Sequence, residues 1–382
     1  MMRKVRRADL LIITVLLAAC SIEVSDNTPA TQQTATQVSP ILPSATIVAT
    51  RVAAPSGSKA PTVIPGPSPT PPAWTRLKLS GHLIYIQGTR QLISLDLVSG
   101  QQTTLFDAPD NAWVSAASIS KDGEQIVLAY ALPPKDPSQQ QFGYTDLYTL
   151  PADGSSAPQI LLQRANDKEA FFNPVWSADG KYVYYSHLIP DPNNTQKYTN
   201  FKYDLERISL RLGRPQKILD NAFWPRLSPD GMKLAYVSFD PKNNANDLYL
   251  ADIDGGNSKL VMPAGTFYAV DAPVFSPDSQ TILFSAVGEP QKTQLSWFDQ
   301  LMGVQIAEAH SVPSDWWRVS ISGGKPERVT NIADTGLYGD YSPDSQHVAF
   351  VSATGLFVMN PDGSNLVQLF NYGPSGTVNW MP

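Results

Sequence analysis

From about Leu77 onward, apolar residues come in short runs separated by turn formers, as in His82-Leu83-Ile84-Tyr85-Ile86, Leu92-Ile93-Ser94-Leu95 and the alternating Leu234-Ala235-Tyr236-Val237-Ser238-Phe239. Such runs are too short for amphipathic helices and are bounded by Gly, Pro, Asp and Ser, so they predict strands. One unit recurs: an apolar or aromatic residue, a serine, a turn ending in Asp-Gly or Asp-Ser, then a strand. Its copies are Ile119-Ser120-Lys121-Asp122-Gly123, Trp176-Ser177-Ala178-Asp179-Gly180, Leu227-Ser228-Pro229-Asp230-Gly231, Phe275-Ser276-Pro277-Asp278-Ser279 and Tyr341-Ser342-Pro343-Asp344-Ser345. The serines lie 57, 51, 48 and 66 residues apart. A period near 40–50 with insertions is the signature of propeller blades. Proline presets φ for the turn, and Asp-Gly tolerates the positive φ of a tight strand connection.

A third strand follows in each unit, headed by Asp146-Leu147-Tyr148 or Asp247-Leu248-Tyr249. It ends in a second turn at Asp153-Gly154, Asp254-Gly255, Gly323-Gly324 or Asp362-Gly363, and an outer strand such as Gln159-Ile160-Leu161-Leu162 or Leu366-Val367-Gln368-Leu369 completes the blade. Five copies head five blades. Before the first copy lie three strands without an inner one, and after the fifth blade Thr377-Val378-Asn379-Trp380-Met381-Pro382 reads as an inner strand, with Asn379-Trp380 matching Val175-Trp176. The expectation is an all-β fold: a six-bladed β-propeller with four-stranded blades over residues 75–382, closed by pairing of the C-terminal strand with the first blade.

These motifs resemble the TolB-like propeller family, and the same repeat is similar to that of prolyl-oligopeptidase-type propellers. The resemblance covers roughly Leu77–Pro382 and implies the fold. It implies little about activity, because the motif residues build turns. Prolyl-oligopeptidase relatives carry a hydrolase domain beside the propeller, and this chain is expected to have none.

The first 76 residues follow a different pattern. Met1–Arg7 is basic and Leu10–Ala19 almost wholly apolar, the n- and h-regions of a secretory signal. About ten apolar residues are too few to span roughly 30 Å of hydrocarbon as a helix. The run ends in Leu17-Ala18-Ala19-Cys20, which resembles the lipobox of bacterial lipoproteins. The resemblance implies a lipid on Cys20, cleavage before it, and an exported protein held on the cell membrane or the outer membrane with its propeller outside the cytoplasm. Two or more acyl chains give stable anchoring where one is marginal. Residues 1–19 are thus read as a lipoprotein signal peptide. Residues 20–74, rich in Thr, Ser, Pro, Ala and Gln, are read as a disordered tether with a reach on the order of 150–200 Å at about 3.3 Å per residue.

Composition narrows the function. Among 382 residues, 33 Pro and 24 Gly with only 16% charged suit a turn-rich β fold. The net charge is −6, and residues 1–19 carry four basic groups and one acid, so the remainder is more acidic still. An acidic body is a poor phosphate binder, so no nucleic-acid partner is expected. Cys20 is the single cysteine, which excludes disulfides within the chain and Cys-ligated metal clusters. No HExxH, GxSxG, GxGxxG or P-loop pattern occurs. The Asp252-Ile253-Asp254-Gly255 stretch echoes a calcium loop, but its glycine comes too early and it reads as a strand turn. No catalytic residue, metal ligand or cofactor is assigned.

The Ser-Asp turns all fall on one face, and the longer loops Leu132–Thr145, Leu188–Lys202 and Gly288–Asp315 fall on the other. Uneven decoration of one face suits a binding surface on a rigid scaffold. The blade crossovers add aromatics on that face, among them Trp113, Phe172, Trp224, Tyr268 and Tyr338. These rings line a mouth around the axis or pack between blades. Arg226, Asp340 and Asn379 are polar residues on inner strands and either line the channel or bond to neighbouring blades. Leu295, Phe298, Leu301, Met302, Ile306 and Ala309 have the spacing of a short amphipathic helix. The candidate ligand-binding set is Trp113, Phe172, Trp224, Arg226, Tyr268, Tyr338 and Asp340. The expected function is non-catalytic binding of an envelope protein, peptide or glycan at the decorated face. The alternative is a propeller enzyme, a polysaccharide lyase or hydrolase-like protein, using acids and His187 or His310 at the central mouth.

Overall fold

Each repeat folds into the same turn. In all five copies the serine hydroxyl donates to the aspartate two residues on, at 2.5–2.7 Å, and accepts the backbone N–H of the residue five on at 2.9 Å. The same carboxylate then accepts a backbone N–H two residues further, at 2.9–3.1 Å. The residue after the aspartate sits in the left-handed region. It is glycine in three copies and serine in two, at φ 60° for Ser279 and 63° for Ser345. Burial of the serines (Ser177 is 2% exposed) makes the hydroxyl an internal anchor for the turn.

The computed structural model describes residues 73–136, 144–191, 201–240, 245–288, 312–371 and 374–382, all within one compact unit, Ser68–Pro382. Its strands form six antiparallel four-stranded sheets, the blades of a six-bladed propeller. The inner strands of blades 2 to 6 are Trp113–Ile119, Ala170–Trp176, Phe223–Leu227, Ala269–Phe275 and Tyr338–Tyr341. The inner strand of blade 1 is the C-terminal Pro374–Met381. It pairs with His82–Gln87 in the register His82↔Met381, Leu83↔Trp380 and Ile84↔Asn379. The expected closure is therefore the observed one. The match of Asn379-Trp380 to Val175-Trp176 is also geometric: each tryptophan indole N–H donates at 3.0 Å to a backbone carbonyl, Trp176 to Ser118 and Trp380 to Ser80.

Six buried apolar clusters fill the six blade junctions. Each sheet is covered on both faces by its neighbours. This corrects the expectation of alternation in second strands: Leu234, Ala235, Tyr236 and Val237 are all buried, because the odd and even side chains enter different junctions. The outer strands lie at the rim and are largely exposed, as in Gln159–Leu162. Buried aspartates at the heads of third strands hold the crossovers to the next blade. Asp146, Asp247 and Asp315 accept the backbone N–H groups of Arg164, Gly265 and Ile332 at 2.8, 2.9 and 2.6 Å.

The Asp252–Gly255 stretch is a turn, with the Gly255 N–H on the Asp252 carbonyl at 2.8 Å. Most of the three long loops, the helix expected around Leu295–Ala309, His310, and the signal and tether residues with Cys20 lie outside the described residues.

Candidate functional site

The inner strand of each of blades 2 to 6 starts on the face of the long loops and ends at its Ser-Asp turn. Its first residues therefore surround the mouth of the axis. Three consecutive blades break their inner strand there in the same way. Asn173-Pro174 stands opposite Tyr185 alone, Trp224-Pro225 opposite Tyr236 and Ala272-Pro273 opposite Phe284, so two residues face one in each case. These are β-bulges, and proline fits them because it has no N–H to give to the ladder. The residue before each proline takes positive φ: 47° for Asn173, 56° for Trp224 and 45° for Ala272. For residues with a Cβ this is strained backbone. It is held in place at Trp224 by the buried Ser186 hydroxyl, which accepts the Trp224 N–H at 3.0 Å.

The bulges turn side chains toward the axis. Asn173, Trp224 and Ala272 line a solvent-open cavity together with Arg226, Tyr338 and Thr377. Two contacts span it. The rings of Trp224 and Tyr338 meet at 5.1 Å between centroids, tilted by 45°. Two residues deeper, the Arg226 guanidinium pairs with the Asp340 carboxylate. Both contacts join blade 4 to blade 6, which are not adjacent. They pass across the inner strand of blade 5, where the small Ala272 and Pro273 leave room.

Asp340 also accepts the Trp380 N–H at 3.0 Å through its second oxygen, so the carboxylate ties the closing strand to the axial pair. Burial pushes its pKa above the ordinary carboxylate value, with Arg226 and the Trp380 amide opposing. A fifth of its side chain is exposed, so the surroundings are dense but not sealed. On the opposite side of the ring, Thr377 exchanges two hydrogen bonds with the Ala117 backbone at 2.7 and 2.6 Å, and Asn379 donates to the Ala117 carbonyl at 3.0 Å.

The structure thus brings Trp224, Arg226, Tyr338 and Asp340 together and separates the other candidates. Trp113, Phe172 and Tyr268 are half-buried near the starts of other inner strands and do not line this cavity. Of the other crossover aromatics, Phe171 and Phe267 are buried in blade junctions. Asn379 bonds to the next blade. Asn173, Ala272 and Thr377 line the mouth without having been expected there. Their signal was present for two of them: a residue before proline within an inner-strand run marks a bulge.

His187 is not an axial residue. Its Nδ1 lies 3.1 Å from Glu206, its Nε2 lies 3.7 Å from Glu169, and its ring contacts the buried Phe171 at the junction of blades 2 and 3. Tyr185 donates to the same Glu206 at 2.8 Å, and these bonds hold Glu206 below its ordinary pKa against its burial. Among the described residues no group of three or more His, Cys, Asp or Glu is placed to hold a metal ion.

The class defined by this architecture is the six-bladed β-propeller with four-stranded blades and C-terminal closure, a fold shared with TolB proteins. The structure of a putative TolB from Agrobacterium tumefaciens superposes with a TM-score of 0.53 at 20% identity, covering 77% of this chain and 99% of that one. In sequence, an uncharacterised protein of Agrobacterium fabrum is 27% identical over 271 residues, 56% of this chain and 82% of its own length. Dipeptidyl-peptidase 5 of Porphyromonas gingivalis is 29% identical over 190 residues, but the match spans only 26% of that enzyme. No family model matches the chain.

Proposed function

We propose that this protein is a lipid-anchored, non-catalytic propeller of the bacterial cell envelope that binds a protein, peptide or glycan at its axial mouth. The observation that carries the binding part is the strained Trp224 bulge. It sets an aromatic pair and an ion pair across the axis, where straight strands would have aimed other side chains. Strain of this kind costs on the order of 1–3 kcal/mol and persists where the surrounding structure enforces it, which favours a mouth shaped for recognition. The exported, anchored location rests on the basic, apolar and Leu-Ala-Ala-Cys sequence of the first 20 residues. Of the two histidines named for the lyase alternative, His187 engages a blade junction and not the axis, which speaks against its part in such a site.

Peptide and glycan arrays probed with the purified full chain test the binding reading. The expected result is a ligand whose signal falls at least tenfold in Trp224→Ala and Tyr338→Ala. Signals indifferent to both changes, or turnover of the bound ligand, would overturn it. Membrane fractionation tests the anchor: Cys20→Ala is expected to leave the membrane fraction, and a variant that stays there refutes the lipid.

A further inference from the structure

Arg226 is under-used for a guanidinium at the centre of a fold. It carries five donors in a rigid fork, yet among the described residues its one hydrogen bond runs from Nη2 to a single oxygen of Asp340. The other Asp340 oxygen is committed to the Trp380 N–H, so the internal pair is monodentate. The Arg226 side chain is 24% exposed, and the residue lines the axial cavity. Guanidinium forks are best satisfied by a planar carboxylate taken bidentately.

We propose that Arg226 is the receptor for the α-carboxylate of a peptide chain end whose last residue is apolar. The inference rests on the reading of the axial mouth as a binding site and names the ligand chemistry of that site. Depth along the axis supplies the order of contacts. The rings of Trp224 and Tyr338 lie nearer the mouth and Arg226 two residues deeper, so an apolar side chain meets the rings while its own carboxylate reaches the fork. The position already holds one carboxylate, that of Asp340, and so is shaped for that group. A doubly charged phosphate would face about twice the repulsion that a singly charged carboxylate meets from Asp340 and from a protein of net charge −6. Two contacts crossing the lumen admit a thin chain end more readily than a sugar ring.

The probes are acetyl-Ala-Leu as the free acid, the same dipeptide as its C-terminal amide, and galacturonate, titrated against the full chain by calorimetry. The acid is expected to bind at least tenfold more tightly than the amide. Arg226→Gln should lose at least tenfold on the acid and much less on the amide, with Arg226→Lys between. Asp340→Asn keeps the acceptor for Trp380 and removes the internal competitor, so it should bind the acid at least threefold more tightly. This variant leaves the Arg226 guanidinium without its internal counter-charge, at a cost in stability, but it keeps the guanidinium itself and so tests the idea even if Arg226→Gln unfolds. Equal binding of acid and amide, an acid affinity unchanged in Arg226→Gln, or no gain in Asp340→Asn would overturn the proposal. Binding of galacturonate in place of the peptide acid would overturn its peptide part. Array ligands that depend on Trp224 but show no preference for a carboxylate would refute this inference while leaving the mouth as a binding site. Absence of both would refute both.

Discussion

At the residue scale, the Ser-Asp turn carries a distinct electrostatic signature. Hydrogen bonds from the serine hydroxyl, followed in most copies by a backbone amide, hold Asp122, Asp179, Asp230, Asp278 and Asp344 below their ordinary pKa of 3.8, with Asp179 lowered to about 2. A carboxylate depressed in the folded state stabilises fully above the unfolded value and loses that contribution as pH falls through the folded one. Burial acts the other way on Asp146, Asp247 and Asp340, whose pKa is raised. Their cost is present at neutral pH and recedes as pH falls through their raised values toward 3.8. Thermal melts across pH should therefore show a melting temperature that holds or rises slightly from neutrality into weak acid and falls steeply below about pH 3.8. Ser177→Ala removes the anchor from one turn and leaves the Tyr182 N–H without its acceptor. It should cost about 1–3 kcal/mol in denaturant unfolding, with little change at the axial mouth.

At the element scale, the inner strands do two jobs that the repeat alone does not reveal. Three of them bulge at an X-Pro step, and blade 6 does not, its strand Tyr338–Tyr341 pairing in unbroken register. That asymmetry places Tyr338 and Asp340 opposite bulged Trp224 and Arg226 across blade 5. Removing one partner of the axial pair strands the other. Asp340→Ala should therefore destabilise by about 3–5 kcal/mol, whereas an Arg226→Met/Asp340→Leu double change should recover most of the loss. A double-mutant cycle in urea measures the coupling. If the double variant is no more stable than Asp340→Ala, the cross-axis pair is not what couples the two sites.

At the scale of the whole molecule, the ring depends on one short strand. Val378 and Trp380 of the C-terminal strand are buried in the core shared by blades 6 and 1, and Asp340 and Ala117 hold that strand from either side. Truncation before Thr377 leaves the second strand of blade 1 as an open edge inside the ring. It should lower the melting temperature by many degrees and favour association. Trp380→Ala, by analogy with other buried tryptophans, should cost about 3–5 kcal/mol. Gly81 provides an independent check, because a Cβ there would overlap the Met381 carbonyl. Gly81→Ala should mimic part of the truncation while the sequence of the closing strand is intact. If scanning calorimetry of the truncated chain matches the full one, the closing strand does not seal the ring.

Local chemistry was legible in the sequence and the axial site largely was not. The repeat spelled out strands, turns, blade number and even the shared blade, because each turn is built from residues within five positions of one another and a repeated unit announces its own period. Arg226 and Asp340 stood out as polar residues on inner strands, but their partnership spans 114 positions and two blades. Which aromatics face the axis depended on bulges that shift a strand by one residue and re-aim its side chains. The apolar runs did not show that both faces of a blade are buried, since that follows from the neighbouring sheets. The sequence by itself determined a six-bladed ring, because strand and turn propensity are properties of short segments. Only the tertiary structure decided what meets across its axis, because that contact is made where six distant segments converge.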